Sequence, residues 1–296
     1  MPEMPEVETL VRAIRPALEG RRIDRVDVVD ARVLATSKAE FRRQVTRRRI
    51  ERVWRRGKWI VIDLDSGDAV LVQLRMTGQV RLVPAKAPDH RRLELRLDDG
   101  TRVWYCDTRC LGRVSVLNAD ELREALSPAH QGPEALEIER DELNERLKRT
   151  RRNIKPFLID QRAISGIGNL YADEVLHAAR LHPERPACDL TASERRRLHQ
   201  AIGQILRLAV EHGGSTLRDG RYQTAYGEQG GFQQRHRVYG REGKPCPQCG
   251  TPVVRKRIAG LVGRSSYFCP ACQPAGGKKS RRRASRREAS AAADAG

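Results

Sequence analysis

Four cysteines near the end of the chain place the tightest constraint on its fold. Cys246-Pro-Gln-Cys249 and Cys269-Pro-Ala-Cys272 are separated by 19 residues, a spacing that lets two tight turns wrap one tetrahedral zinc with four thiolates. Gly250 suits the knuckle after the first pair, and the runs VVRKRI and RSSYF between the pairs are expected to form a hairpin. Four protein ligands leave no open coordination position, so the zinc would be structural. Cys106, Cys110 and Cys188 are left over and read as small apolar residues or inert thiols. In a reducing compartment such pairs point to metal before disulfides.

Upstream of this module the hydrophobic period changes twice. Val7, Leu10, Val11, Ile14 and Leu18 recur at helical spacing before Gly20, which predicts an N-terminal helix over 5–18. From about 22 to 118 come eight short β-rich runs: RIDRVDVV, ERVWRR, WIVIDLD, AVLVQLR, QVRLV, LELRL, TRVWYC and GRVSVL. Turn residues such as Asp65-Ser66-Gly67 and Asp99-Gly100 separate several of them, the signature of a β-sandwich or barrel. From about 119 to 212 the pattern is helical, the last helix running from Ala192 to Glu211 before Gly213-Gly214. Residues 218–235 carry Gly, Gln, Arg and Tyr without a period and read as a long loop.

Charge narrows the partners. The formal net charge is +19, from 57 Lys and Arg against 38 Asp and Glu. The Gly, Ser, Ala and Arg-rich segment 274–296, too polar to pack, holds seven of the cations and two of the acids, which leaves +14 on residues 1–273. Such a body favours polyanions, either nucleic acid or an acidic membrane surface. With no apolar run of about 18 residues and no secretory leader, the expectation is a soluble, cytoplasmic protein.

Two local features could carry chemistry. Ile164-Ser-Gly-Ile-Gly-Asn169 runs into the amphipathic stretch LYADEVLHAARL. Exposed amides at such a helix start bind anions, and Asn169 could either add a donor to a phosphate or cap the helix. The chain opens MPEMPEVETL. Once Met1 is removed, Pro2 would present a secondary amine whose reference pKa of about 8 leaves a nucleophilic fraction near neutrality. Pro2, Glu3, Pro5 and Glu6 equally suit the plain start of a helix.

Read together, the motifs resemble the formamidopyrimidine-DNA glycosylase and endonuclease VIII family over about residues 2–273. They are the P-E-x-P-E start, RRGKW around Lys58, LRMTGQVR around Met76, DTRCLGR around Arg109, GIGNLYADE, VYGREGKPCPQC and GRSSYFCPAC. The PEMPEVE start and the Met of LRMTG look like the formamidopyrimidine branch. The resemblance implies a multidomain α+β protein: an N-terminal β-sandwich with a flanking helix (1–125), a helical domain with a helix–two-turn–helix element and a lesion-covering loop (126–235), and a four-cysteine zinc finger β-hairpin (236–273); composition adds a disordered basic tail (274–296). Its partner would be double-stranded DNA containing damaged bases, met by a monomer associated with the nucleoid.

The implied activity is a bifunctional glycosylase and lyase acting on oxidised purines, with an oxidised-pyrimidine enzyme of the endonuclease VIII type or a non-catalytic DNA-binding relative as alternatives. Pro2 would be the nucleophile and Glu3 the general acid/base, with Glu6 nearby. Lys58 and Arg264 complete the catalytic set and, with Asn169, grip phosphates around the lesion. His90 and Lys155 are further DNA contacts. Met76, Arg109 and Leu111 match the wedge that fills the gap left by a flipped base. Here the chain departs from the pattern: the family commonly has Phe where Leu111 stands, and His and Gly where Gln73 and Arg75 stand. Tyr222 and Tyr226 of the 218–230 loop could stack on a lesion or anchor the loop.

Overall fold

The computed structural model describes residues 2–82 and 88–275, so the tail expected to be disordered lies, from residue 276 on, outside the described residues. Helix α1 (Met4–Leu18) buries Val7, Leu10, Val11, Ile14 and Leu18 along one face. The eight β-rich runs become eight strands: β1 (Ile23–Val28), β2 (Ile50–Arg56), β3 (Trp59–Leu64), β4 (Ala69–Gln73), β5 (Gly78–Leu82), β6 (Arg91–Leu97), β7 (Arg102–Asp107) and β8 (Arg113–Leu117). They form two four-stranded antiparallel sheets, ordered β1-β6-β7-β5 and β2-β3-β4-β8. Alternating apolar residues such as Val70, Val72, Leu93, Leu95 and Val103 meet Leu10 and Ile14 of α1 in the sandwich core.

The sheet order places two connections side by side. Gln73 of β4 pairs with Arg113 of β8, and Gly78 of β5 pairs with Asp107 of β7. Residues 74–77 and 108–112 therefore both cross between the sheets at the same end. Sequence reasoning missed helix α2 (Lys38–Val45), because only Phe41 and Val45, one turn apart, are buried in an otherwise polar stretch that Ser37 caps through Glu40 N–H.

After α3 (Ala119–Ala125) come α4 (Arg140–Lys148), α5 (Ile154–Ile159), α6 (Asn169–Ala179) and α7 (Ala192–Glu211). They close a second core around Phe157, Ile167, Tyr171, Leu176, Leu198 and Ile202. Every residue from Leu170 to His177 of α6 is buried. Its polar members Asp173, Glu174 and His177 must then find partners inside the protein. Strands β9 (Val254–Lys256) and β10 (Ser266–Phe268) pair antiparallel as the hairpin between the cysteine pairs.

The loop after α7 does not stay with the helices. Tyr222 and Ala225 are buried in the sandwich core, Leu82 N–H donates to Ala225 O at 2.8 Å, and the Gln79 and Arg81 side chains bond Arg221 O and the Gln223 side chain. Tyr222 is thus a loop anchor, its hydroxyl donating to Gly213 O at 3.0 Å, whereas Tyr226 is 60% exposed.

Candidate active site and DNA interface

The start of α6 is occupied by a carboxylate from the chain's own N-terminus. Glu3, 4% exposed, accepts from Gly168 N–H at 2.6 Å, Leu170 N–H at 2.9 Å and Tyr171 N–H at 3.4 Å. The positive end of the helix dipole and its unpaired amides are what a buried carboxylate needs. The expectation that these amides hold a DNA phosphate is therefore corrected, since Glu3 already fills them. Gly168 is required by the close approach, because a Cβ there would overlap the Glu3 carboxyl group. Gly168 is also the N-cap and Asn169 the first helical residue, so Asn169 is not the cap. Its Oδ1 is buried and has no partner among the described residues.

Around Glu3 lie the other groups that sequence reasoning singled out near the N-terminus. Pro2 is buried beside it. Glu6, one turn into α1, accepts from Glu3 N–H at 2.8 Å, Tyr171 O–H at 2.5 Å and Ser215 N–H at 2.8 Å. Burial, reinforced by the Glu3 carboxylate, pushes its pKa up to about 7. Gly214 leaves room for it, since a Cβ there would sit 2.8 Å from Glu6 Oε1. Lys58, in the β2–β3 turn, feels Glu3, Glu6 and Arg264, and loss of solvent lowers its pKa to about 8. The turn that carries it is clamped to the helical region: buried Glu134 accepts from Gly57 N–H and from the guanidinium groups of Arg55 and Arg56. Arg264 is exposed just before β10.

Lys155 is placed differently from expectation. Its side chain is fully buried, with Nζ 2.7 Å from Asp173 Oδ1 and donating to Ser265 O at 3.1 Å. A cation held this way has no face toward solvent, so it positions the strand next to Arg264 and makes no phosphate contact of its own. Asp173 also accepts from Ser266 O–H at 2.8 Å and Tyr267 N–H at 3.0 Å, and burial raises its pKa to about 6.

A second cluster is displayed at the end of the sandwich. Met76 (41% exposed), Leu111 (43%) and exposed Arg109 project from the two crossing connections, which rules out ordinary core packing for Met76. Fully buried Asp107 ties those connections together. Its carboxylate accepts from Thr77 Oγ1, Arg109 N–H (3.1 Å), Gly112 N–H (2.8 Å) and Tyr105 O–H (3.2 Å). His90 is exposed in the turn before β6, its carbonyl accepting from Asp107 N–H at 3.0 Å. It thus stands beside the same cluster. A cavity of about 670 Å³ opens elsewhere, between the 216–220 loop and the approach to the zinc module, lined by Thr216, Arg218, Gln233, His236 and Tyr239. His236 of its lining lies 3.0 Å from Ser215 Oγ, and Ser215 N–H donates to Glu6, so the cavity adjoins the N-terminal carboxylates.

The four cysteines fit zinc. Their sulfurs lie within 4.8 Å of one another, with Cys246–Cys272 at 3.9 Å and Cys249–Cys269 at 3.4 Å. Zn–S bonds of about 2.3 Å in a tetrahedron require sulfur separations of about 3.8 Å. Knuckle bonds close around them: Gly250 N–H donates to Cys246 O at 2.9 Å and Cys272 N–H to Cys269 Sγ at 3.4 Å. The module therefore holds one structural zinc.

Several of these residues carried no signal in the sequence. Glu134, Asp173 and Glu174 act through backbone amides of segments distant in the chain, and Asp107 joins the amides of its own loop to the Thr77 hydroxyl; a lone acid without a spaced partner looks like any surface carboxylate. Only its burial identifies it. No described helix is long and apolar enough to cross a membrane.

Comparison with known proteins agrees with this architecture segment by segment. Residues 1–114 match the family model described as the formamidopyrimidine-DNA glycosylase N-terminal domain, 131–220 the H2TH domain of the same enzymes, and 243–275 a zinc finger found in FPG and IleRS. The formamidopyrimidine-DNA glycosylase of Roseiflexus sp. (strain RS-1) is 44% identical over 281 residues, covering 92% of this chain and all of that one. That of Desulforamulus reducens is 39% identical over 93% of this chain and all of its own. Among solved structures, the MutM (Fpg) protein of Thermus thermophilus superposes with a TM-score of 0.82 at 42% identity, covering 93% and 100% of the two chains. Lactococcus lactis Fpg in complex with DNA containing an abasic site gives 0.84 at 31% identity, covering 92% and 99%.

Proposed function

The chain belongs to the formamidopyrimidine-DNA glycosylase family, and from that premise we propose that it removes oxidised purines such as 8-oxoguanine and formamidopyrimidines from duplex DNA, then cuts the strand with the amine of Pro2. The observation that carries this reading is Glu3, fixed by three amides beside Pro2, with Lys58 close enough to feel both Glu3 and Arg264.

With Met1 removed, the lone pair of the Pro2 nitrogen attacks C1′ of the everted nucleotide. The C1′–base bond breaks and the base leaves with a proton. The C1′–O4′ bond then opens as O4′ takes a proton, and the iminium so formed acidifies the C2′–H bond, whose proton loss expels the 3′ phosphate. A second elimination expels the 5′ phosphate, and water releases the sugar remnant from the amine. This is covalent catalysis that divides one difficult substitution into easier steps. Glu3, beside Pro2, would shuttle protons to the sugar ring oxygen as it opens. Lys58 and Arg264 would neutralise phosphates flanking the lesion, and the side-chain N–H of Asn169 would donate to the same backbone. Met76, Arg109 and Leu111 would enter the duplex where the base has left. The cavity lined by Thr216, His236 and Tyr239 has the volume for a purine. One chain carries all of these groups, which supports action as a monomer.

Borohydride trapping tests the reading. On duplex DNA with 8-oxoguanine opposite cytosine, the form lacking Met1 should give an adduct mapped to Pro2 and a gap with phosphate at both ends, and a form with an extended N-terminus should bind without trapping. An adduct mapped to a lysine would reject the Pro2 mechanism. Cleavage of thymine glycol in preference to 8-oxoguanine would reject the purine assignment.

A further inference from the structure

Helix α6 grips the zinc module with three side chains. Asp173 holds Ser266 and Tyr267 of β10, and Glu174 accepts from the backbone N–H groups of Arg237, Val238 and Tyr239 at 2.9, 3.0 and 2.8 Å. The third, His177, lies one turn beyond Asp173 and is fully buried, with Nε2 3.4 Å from Sγ of Cys246. Its Nδ1 has no partner among the described residues, so the sulfur is the polar atom that the ring addresses.

We propose that His177 is an outer-sphere partner of the structural zinc, its Nε2–H donating to the Cys246 sulfur and thereby tying the metal to the helix whose other end holds Glu3. This inference stands independently of the Pro2 chemistry.

The chemistry of the donor set fixes the tautomer. A zinc-bound thiolate can only accept, so the facing nitrogen carries the hydrogen and Nδ1 keeps its lone pair. Four thiolates around Zn²⁺ leave a net charge of two minus, which on the buried side, at Cys246 and Cys269, must be spread over nearby N–H groups. Cys272 N–H serves Cys269 from within the knuckle. Cys246 is 2% exposed, and His177 supplies its donor from outside the module.

The consequence reaches along α6. Its first amides clamp Glu3, its middle holds the strand after Arg264, and its last turn meets a zinc ligand. Zinc then orders the hairpin and is itself held to the element that orders the N-terminal carboxylate.

The test compares His177→Leu with His177→Gln in the full chain. The two replacements are close in size, and only Gln retains an N–H donor. Zinc release to a chromogenic chelator is followed, together with the sulfur-to-metal charge-transfer band of the cobalt-substituted protein and far-UV circular dichroism to verify folding. Outer-sphere partners are worth about 10- to 100-fold in metal affinity. His177→Leu should therefore give up zinc at about tenfold lower chelator concentration and shift the cobalt band to lower energy, while His177→Gln stays near the parent in both. Equal zinc retention by His177→Leu and the parent would overturn the proposal. So would equal loss in the two variants with the cobalt band unmoved, because the ring would then act only by filling space.

Discussion

Lys155→Met is the sharpest test of how the cleft is built, because it separates a buried strut from a DNA contact. Both members of the Lys155–Asp173 pair are buried, with side-chain exposures of 0% and 1%. Removing one partner of such a pair strands the other charge, at a cost of about 3–5 kcal/mol. The pH dependence has a definite sign. Burial raises the Asp173 pKa to about 6, above its ordinary value, against the opposing pull of Lys155. A carboxyl whose folded pKa exceeds the unfolded one stabilises the fold below the unfolded pKa and loses that contribution as pH climbs through the folded pKa. Without the lysine the folded pKa rises further. The penalty should therefore be largest at about pH 8 and shrink at about pH 5, where Asp173 takes a proton. Urea unfolding of variant and parent at each pH gives the difference directly, and any acid effect on the zinc cysteines cancels in it. Lys155→Met/Asp173→Asn should recover most of the lost stability at about pH 8, since no charge is then left unpaired. A loss under about 1 kcal/mol, or one of equal size at both pH values, would refute the argument. Loss of DNA affinity with stability untouched would return Lys155 to the role of a phosphate contact.

Asp107→Asn should destabilise by about 2–4 kcal/mol, because one oxygen becomes an N–H donor facing Gly112 N–H and a buried amide goes unpaired. Amide hydrogen exchange should show its effect concentrated in 74–78 and 108–112, and unchanged exchange there would contradict the role of Asp107. With a Lys58 pKa of about 8, the lysine is cationic below that value, so affinity for an abasic duplex should fall as pH rises through 8. Lys58→Arg should remove that step while leaving binding below it intact, as measured by fluorescence anisotropy. Leu111→Phe should tighten abasic-duplex binding by about 1 kcal/mol through stacking on an exposed base, and weaker binding would mean that the loop cannot seat a ring. Gly168→Ala should displace the Glu3 carboxylate from the α6 amides and slow strand cleavage far more than it weakens binding, which single-turnover assays can separate.

Much of the fold was legible in the sequence because its determinants are local. The β-rich runs are short and bounded by turn residues, and in those that alternate, such as β5 and β8, a strand slipped by one residue would turn its apolar set to water. The cysteine spacing likewise specifies a four-thiolate turn pair wherever the rest of the chain lies. Helix α2 escaped notice for the converse reason: two apolar residues in eight are too few to make a period. Around the candidate site, the sequence marked Glu3, Lys58, Arg264 and Met76 by type and by resemblance, and it could not say what each would face. That depended on packing. Only when the N-terminus meets α6 does the helix start choose Glu3 over a phosphate, and only burial makes a strut of Lys155, an anchor of Tyr222, and structural ties of Asp107, Glu134 and His177. A side chain's charge is written in the sequence. Its partner and its solvent are decided by segments that the fold brings together, as it brings Gly57 to Glu134, Cys246 to His177 and α6 to Glu3, and those two decide what the charge does.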